Sequence, residues 1–226
     1  MCNLYANTMP VESMRRLFGV EGADDHLGNA EPLPAIFPKG TAPIVGLDED
    51  GARWLRNTHW GFVLPQVSKR TGKPIQPKAV NNARADKLRG APFWRSSFEG
   101  RRCLVPATSF CEAKGRSPAT YVWFGLRGEG ARPPFAFAGI WRAFDGAYGG
   151  EHREMLTSSI VTTTPNALTR ETHPDRMPAI LRPERYEAWL RADPDEAFEL
   201  IEPYPAEEMT VHQSGEGLKS DKGGLG

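Results

Sequence analysis

The second residue offers the most distinctive chemistry in this chain. An initiator methionine is normally removed when the next residue is small, and Met1 precedes Cys2. Removal leaves a 1,2-aminothiol, an amine and a sulfur on adjacent carbons. A free α-amine has a pKa of about 7.7–8.0, so an appreciable fraction is neutral near pH 7, whereas a lysine at about 10.4 is almost fully protonated. Such an amine attacks an aldehyde to give an imine, and the neighbouring sulfur then closes a five-membered thiazolidine ring. That closure is intramolecular, and proximity favours it. Only an N-terminal Ser or Thr offers analogous chemistry, and sulfur is the better nucleophile. Taken alone, however, Cys2 is more economically read as a second residue without special consequence.

Three further segments carry groups suited to catalysis or anion binding. Val80-Asn81-Asn82-Ala83-Arg84-Ala85-Asp86 places the Asn82 amide and the Arg84 guanidinium two residues apart. In an extended chain both lie on one face. Arg102-Cys103-Leu104-Val105-Pro106-Ala107 leads through Thr108 and Phe110 to Glu112. Thr172-His173-Pro174-Asp175-Arg176-Met177-Pro178 follows a strand expected over 160–164. A carboxylate and an imidazole are the usual movers of protons near neutral pH. Singly, each segment also has a plain reading: a strand carboxylate, a loop histidine, a surface charge.

The elements that must position these residues are mostly short strands. Residues 2–6 read as a strand, and Thr8 and Pro10 open a helix with Val11, Met14, Leu17 and Phe18 on one face. Residues 22–40 form a Pro/Gly-rich connection. Strands are expected at 42–47, 60–64, 80–84, 103–105, 109–112, 121–124, 135–141 and 156–163, with a loop over 66–77. A short helix is expected at 165–169, and longer ones at 183–192 and 194–201. Residues 209–212 read as an edge strand. The pattern predicts an α+β fold with a mainly antiparallel β barrel-like or sandwich core and flanking helices. One domain is expected over 1–213, followed by a flexible Gly-rich tail at 214–226 with five glycines. No internal repeat is evident.

Composition narrows the class. The chain has 226 residues, with 28 Lys+Arg against 28 Asp+Glu and 39% apolar residues. That balance fits an ordinary globular domain rather than a disordered chain. The longest apolar run, 135–141, falls far short of the ~18 residues of a membrane helix. Glu12, Arg15 and Arg16 interrupt the first apolar stretch, so no signal peptide is read. Cys2, Cys103 and Cys111 lack zinc-finger spacing, so neither a disulfide framework nor a metal site is expected, nor any cofactor. A reduced, cytoplasmic protein follows, without membrane association. The zero net charge hides a segregation. Ten Lys/Arg against Asp86 and Glu99 lie between Lys69 and Arg102, and nine acidic residues lie between Pro183 and Glu208. A basic segment of this kind suits phosphate, although solvated loops would look the same.

With Met1-Cys2-Asn3-Leu4-Tyr5 and Trp60-Gly61-Phe62-Val63-Leu64-Pro65, the three segments form one ordered pattern. The sequence resembles the SRAP family (SOS-response-associated peptidase), the abasic-site-processing proteins, from Cys2 to about Leu181. The resemblance implies the SRAP fold and covalent capture of the ring-opened sugar of an abasic site in single-stranded DNA. It implies Cys2 as nucleophile, and Asn82 as the residue positioning the terminus and the sugar. Glu112 would shuttle protons, and His173 would protonate the sugar ring oxygen. Arg84 and Arg176 would hold phosphates. It further implies removal of Met1 by autoprocessing, a lyase activity and shielding of the lesion, in a nucleoid setting; a single domain with a free terminus is compatible with a monomer.

The sequence also departs from the family. Asn3 and Leu4 stand where many members have Gly-Arg, and Arg84, Lys87, Arg89 or Arg95 would supply the missing cation. Cys111-Glu112-Ala113 replaces Tyr-Glu-Trp, keeping only the carboxylate. His173 and Arg176 are three apart rather than two, and Ile36-Phe37-Pro38-Lys39-Gly40 replaces an Asn-Val-Ala-Pro loop. Trp60 and Phe93-Trp94 are candidate stacking surfaces for unpaired bases, or core. Two other classes stay open: an N-terminal-nucleophile amidohydrolase of the glutaminase kind, and a non-catalytic single-strand-binding module. A Cys–His protease using Cys103 or Cys111 is more remote, because both lie in expected strands where cysteine packs as a small apolar group.

Overall fold

A computed structural model describes residues 2–128 and 132–223. Strand β1 (Tyr5–Asn7) leads to helix α1 (Val11–Phe18), whose Val11, Met14 and Phe18 are buried at helical spacing. Gly19 ends the helix with φ +60°, a conformation that suits a residue without Cβ. The Pro/Gly-rich connection contains a strand the sequence did not reveal, β2 (Leu33–Ile36), paired with β1 through Tyr5 and Ile36. Strands β3 (Thr41–Leu47) and β4 (Arg53–Trp60) form a hairpin around a polar turn at residues 48–51. Gly61 then turns the chain with φ +136°, and a Cβ there would lie 2.9 Å from that of Ala79. The stretch expected as a loop is a two-stranded ribbon, β5 (Phe62–Val67) and β6 (Pro74–Val80).

Beyond the ribbon lie β7 (Asn82–Arg84) and the helices α2 (Ala85–Leu88) and α3 (Pro92–Gly100). Pro92 sits in the first turn of α3, where its missing N–H costs nothing, and Trp94, Ser97 and Phe98 form the buried face. Strands β8 (Arg102–Ala107), β9 (Ser109–Lys114) and β10 (Thr120–Leu126) follow. Then come the long β11 (Phe135–Tyr148) and β12 (Glu151–Thr163), joined by Gly149 and Gly150. Both glycines have positive φ, 70° and 90°, as a tight hairpin turn with right-handed twist requires. The remainder comprises α4 (Ala167–Arg170), β13 (Met177–Pro178), β14 (Ile180–Leu181), α5 (Tyr186–Arg191), α6 (Pro194–Glu199) and β15 (Met209–Glu216).

The expected α+β architecture is what forms, and its barrel-like part closes fully. Neighbours run β12-β4-β3-β8-β11, and β11 pairs again with β12, giving a five-stranded barrel. Closure leaves no unpaired edge among these strands. A second sheet, in the order β15-β10-β9-β1-β2, packs beside it. The apolar run along β11 is continuous because both of its faces are buried. Phe135 and Phe137 face one core with Tyr5, Trp60, Val105 and Phe110, while Ala136, Ala138 and Ile140 face another with Phe18, Leu88, Phe98 and Trp189. Arg102, expected only as part of the basic segment, is buried and structural. Its guanidinium donates to the carbonyls of Phe98 and Trp189, closing the last turn of α5.

The flexible tail expected from residue 214 is corrected through residue 223. β15 continues to Glu216, the Trp123 indole donates to the carbonyl of Leu218 at 2.8 Å, and Asp221 is buried. Asp221 accepts from Ser109 at 2.6 Å and from Arg132 at 2.9 Å. Glycine composition signalled freedom, but three specific contacts offset the ordering cost. Residues 224–226 lie outside the described residues. Among the described residues, no helix is long and apolar enough to cross a membrane.

Candidate active site

The N-terminal segment is fastened along β9. Cys111 donates its backbone N–H to Leu4 at 2.9 Å, and Thr108 donates to Ala6 at 2.8 Å. This sets Cys2 just ahead of β1, beside the start of β7. β7 lies parallel to β12, with Asn82 opposite Ile160, and the Ile160 N–H reaches the Asn81 carbonyl at 3.0 Å. From this anchored position two side-chain amides converge on the Cys2 carbonyl, Asn82 at 2.8 Å and Asn81 at 3.2 Å. Asn81 also donates to the Asn3 side chain at 3.1 Å. Asn81 is a site residue that the sequence pattern did not single out, although it stands next to Asn82.

Cys2 itself carries no exposed surface. Its thiol points back to the Leu4 carbonyl at 3.6 Å. Burial pushes the thiol pKa well above its ordinary value, and the negative charge of Glu112 adds to that. The sulfur is therefore held protonated. Glu112 stands on β9 opposite Val122 of β10, with 3% of its surface exposed. Burial, which disfavours the carboxylate, raises its pKa to about 7. A carboxyl poised there can give and take a proton at cellular pH.

A cleft of about 610 Å³ opens beside the N-terminal segment, lined by Asn3, Leu4, Phe37, Glu112, Tyr121 and His173 among others, with Cys2 itself beneath its lining. Phe37, nearly half exposed, is the aromatic that the unusual 36–40 loop brings to this rim. His173 enters from the turn after α4. Its Nδ1 accepts the backbone N–H of Arg176 at 3.2 Å, which leaves Nε2 as the protonated nitrogen of the neutral ring. Partial burial lowers the pKa of His173, favouring that neutral form. The three-residue spacing between His173 and Arg176 is thus the span of a hydrogen-bonded turn.

The cations sort differently from expectation. Arg84 makes a bidentate pair with Asp86, at 2.9 and 2.8 Å. Arg176 approaches the same carboxylate at 3.7 Å and Lys87 at 4.0 Å. Three of the expected phosphate ligands therefore gather around one acidic side chain next to Asn82. Arg95 does not join them; it lies on exposed α3 and pairs with Glu99 one helical turn away.

Trp60 needs correction. Its ring is entirely buried and packs edge-on against Tyr5 with centroids 4.9 Å apart, so it offers no face to a nucleobase. Its indole N–H instead donates to the Asn81 carbonyl at 3.0 Å, bracing the residue that braces Cys2. Trp94 is also buried. Groups that could gather round a metal ion lie elsewhere, at the exposed end of the β11–β12 hairpin. There Asp145, His152 and Glu154 hold their ligand atoms within 4.8 Å of one another.

Comparison with known proteins identifies relatives of the chain. The chain is similar to three proteins of Bacillus subtilis (strain 168) named abasic site processing proteins. YoqW is 32% identical over 182 residues, covering 80% of this chain and 76% of that protein. YobE is 31% identical, with 80% and 78% covered, and YoaM is 30% identical, with 73% of each covered. Among solved structures, a protein from Bordetella bronchiseptica superposes with a TM-score of 0.72 at 22% identity, covering 95% of this chain and 99% of that one. Another, from Bacteroides thetaiotaomicron, gives 0.70 at 24% identity, with 93% and 90% covered. These two establish a shared fold. The family model described as SOS response associated peptidase (SRAP) matches residues 1–219, and the chain belongs to that family.

Proposed function

We propose that this protein processes abasic sites in single-stranded DNA by capturing the lesion covalently through Cys2. The observation that carries the reading is the convergence of Asn81 and Asn82 on the Cys2 carbonyl, beside a cleft lined by Glu112 and His173. The names of its relatives support the same substrate. An abasic sugar lacks a base, so it enters a cleft at low unstacking cost.

The chemistry follows from the groups in place. Removal of Met1 exposes the Cys2 α-amine. His173, donating from Nε2 to the sugar ring oxygen, favours the open aldehyde. The amine nitrogen attacks C1′ to give a carbinolamine. Glu112 in its acid form protonates the departing hydroxyl, which leaves as water and yields an iminium. Glu112, now a carboxylate, takes the thiol proton, and the sulfur adds to C1′. One aldehyde and one aminothiol become a thiazolidine and water. Burial and the neighbouring carboxylate hold the thiol protonated beforehand, so its proton passes to Glu112 only as the sulfur bonds to C1′. The same groups would serve removal of Met1 and slow strand cleavage at the lesion. A single copy of the chain supplies every group named.

The test mixes purified protein with single-stranded DNA bearing one abasic site and resolves the products on a denaturing gel. Wild type should give a retarded covalent band and Cys2→Ala none. An undiminished band with Cys2→Ala would overturn the reading, as would an intact mass that retains Met1 in protein that cross-links.

A further inference from the structure

The β5–β6 ribbon holds the largest group of cations that the site does not use. It carries Lys69, Arg70, Lys73 and Lys78, and the sequence has no Asp or Glu from Gly51 to Ala85. Its base is fixed: Phe62 is fully buried, and Arg142 donates to the Val63 carbonyl at 3.0 Å. Its outer part is not. Residues 69–76 are all exposed, and Val67 and Ile75 have 63% and 51% of their surface in solvent. Val67 stands opposite Pro74, and Ile75 opposite Gln66, so these two side chains project from opposite faces. Both faces of the outer ribbon are open to solvent, while Gln76 and Pro77 approach the β11–β12 turn.

The charges there are also unusual in their pairing. Elsewhere Arg84, Arg89, Arg95, Arg153, Arg182 and Arg191 each meet a carboxylate. Among the described residues no such pair involves Lys69, Arg70, Lys73 or Lys78. Four like charges on a narrow ribbon repel one another and add nothing to folding stability. They form instead a concentrated positive field on an arm. The arm's return strand ends at Val80 and runs straight into Asn81 and Asn82, the residues that hold Cys2.

Resting on the proposed DNA substrate, we infer that the β5–β6 ribbon is a second DNA-contact element, gripping backbone phosphates of the captured strand away from the lesion. A six-residue strand at ~3.3 Å per residue reaches about 20 Å, which spans about six nucleotides even at the ~3.4 Å spacing of a stacked strand. The exposed Val67 and Ile75 beside the cations offer apolar surface to unpaired bases. The contact reads backbone and not sequence.

The experiment compares wild type with a variant carrying Lys69→Ser, Arg70→Ser and Lys73→Ser. Non-covalent binding to undamaged single-stranded DNA of about twenty nucleotides is measured by fluorescence anisotropy across a salt series, beside covalent capture of a trinucleotide with a central abasic site. With about 0.7 of log–log salt slope lost per phosphate contact, the variant's slope should fall by about 2. Capture of the trinucleotide, too short to reach the arm, should be unchanged. Lys69→Arg with Lys73→Arg should keep the wild-type slope. An unaltered slope would overturn the inference, and so would an equal loss on removing Arg16, Arg89 and Arg95. Impaired trinucleotide capture would overturn it too, by placing the effect at the cleft. Failure of wild type to capture any abasic DNA would sink the proposed function instead, while the salt slopes would still decide the ribbon.

Discussion

The side-chain amide of Asn82 donates to the carbonyl oxygen of Cys2 at 2.8 Å, both groups buried. This one bond joins the parallel strand pair β7–β12 to the first described residue. It fixes the direction in which the amine and thiol of Cys2 face. Asn82→Ala should leave that buried carbonyl with the weaker Asn81 contact and cost about 1–3 kcal/mol of positioning. The cross-linking rate should fall about 10- to 100-fold in a gel time course, with a shift of only a few degrees in melting temperature. A rate equal to wild type would show that the bond does not set the geometry of capture.

Glu112 makes both stability and reaction rate depend on pH. Its pKa is raised from 4.5 to about 7 in the folded protein. Between those values the native state binds the proton that the unfolded chain has lost, so stability falls as pH rises through this window. The cost above pH 7 is ~3 kcal/mol. Glu112→Gln should therefore gain on wild type between pH 5 and pH 8, read as a rise in its relative urea midpoint. The same variant should cross-link 10²–10⁴-fold more slowly, losing proton transfer. A midpoint difference independent of pH would place the carboxyl in an ordinary solvated setting.

The His173 ring is held neutral with its proton on Nε2, because Nδ1 accepts from the Arg176 backbone. Nitrogen-detected magnetic resonance at pH 7 should show that tautomer. Its protonation midpoint should lie below the ordinary histidine value. His173→Ala should slow capture about 10²-fold while leaving non-covalent DNA binding intact. A ring charged at pH 7 would contradict the turn geometry.

Asp86 occupies the place among Arg84, Arg176 and Lys87 that an anion would take. Any phosphate arriving there competes with this carboxylate. Asp86→Asn should tighten binding to single-stranded DNA several-fold and steepen its salt dependence. Folding stability should change by under ~1 kcal/mol, since these pairs are half exposed. Weaker binding would instead mean that Asp86 holds the arginines in their working pose.

Trp60 tests core against surface. As a fully buried ring, Trp60→Ala should cost about 3–5 kcal/mol. Trp60→Phe should cost less, and it should disturb capture by freeing the Asn81 carbonyl from its indole donor. Normal stability with impaired DNA stacking would reverse the assignment.

Much of the fold was legible where burial is two-sided or spacing is strict. The run at 135–141 and the helix face of Val11, Met14 and Phe18 are of that kind. The outer halves of β11 and β12 were missed because residues 142–155 form a largely solvated ribbon, whose pairing is made by backbone and leaves little apolar pattern. The Gly149-Gly150 pair was the available signal for that turn. The outer part of the β5–β6 ribbon, 66–77, was read as a loop for the same reason, since prolines and cations interrupt its pattern, whereas 60–64 was read as strand. Cys2, Asn82, Glu112 and His173 were legible through motif order, whereas Asn81 and Asp86 emerge only from three-dimensional contacts. Arg95 and Trp60 went astray because charge and aromaticity do not reveal whether a partner or a core already claims them.

Asp221 bonds to Ser109, which lies opposite Ala6 of β1 and three residues before Glu112 on the same strand. Its backbone N–H also reaches the Pro34 carbonyl of β2 at 2.8 Å. Trimming the polypeptide to the motif-bearing region, a common step in preparing a minimal protein, would remove this latch from the strand that carries Glu112. An expression tag belongs beyond residue 223, and a shortened version ending before Asp221 would lack these contacts.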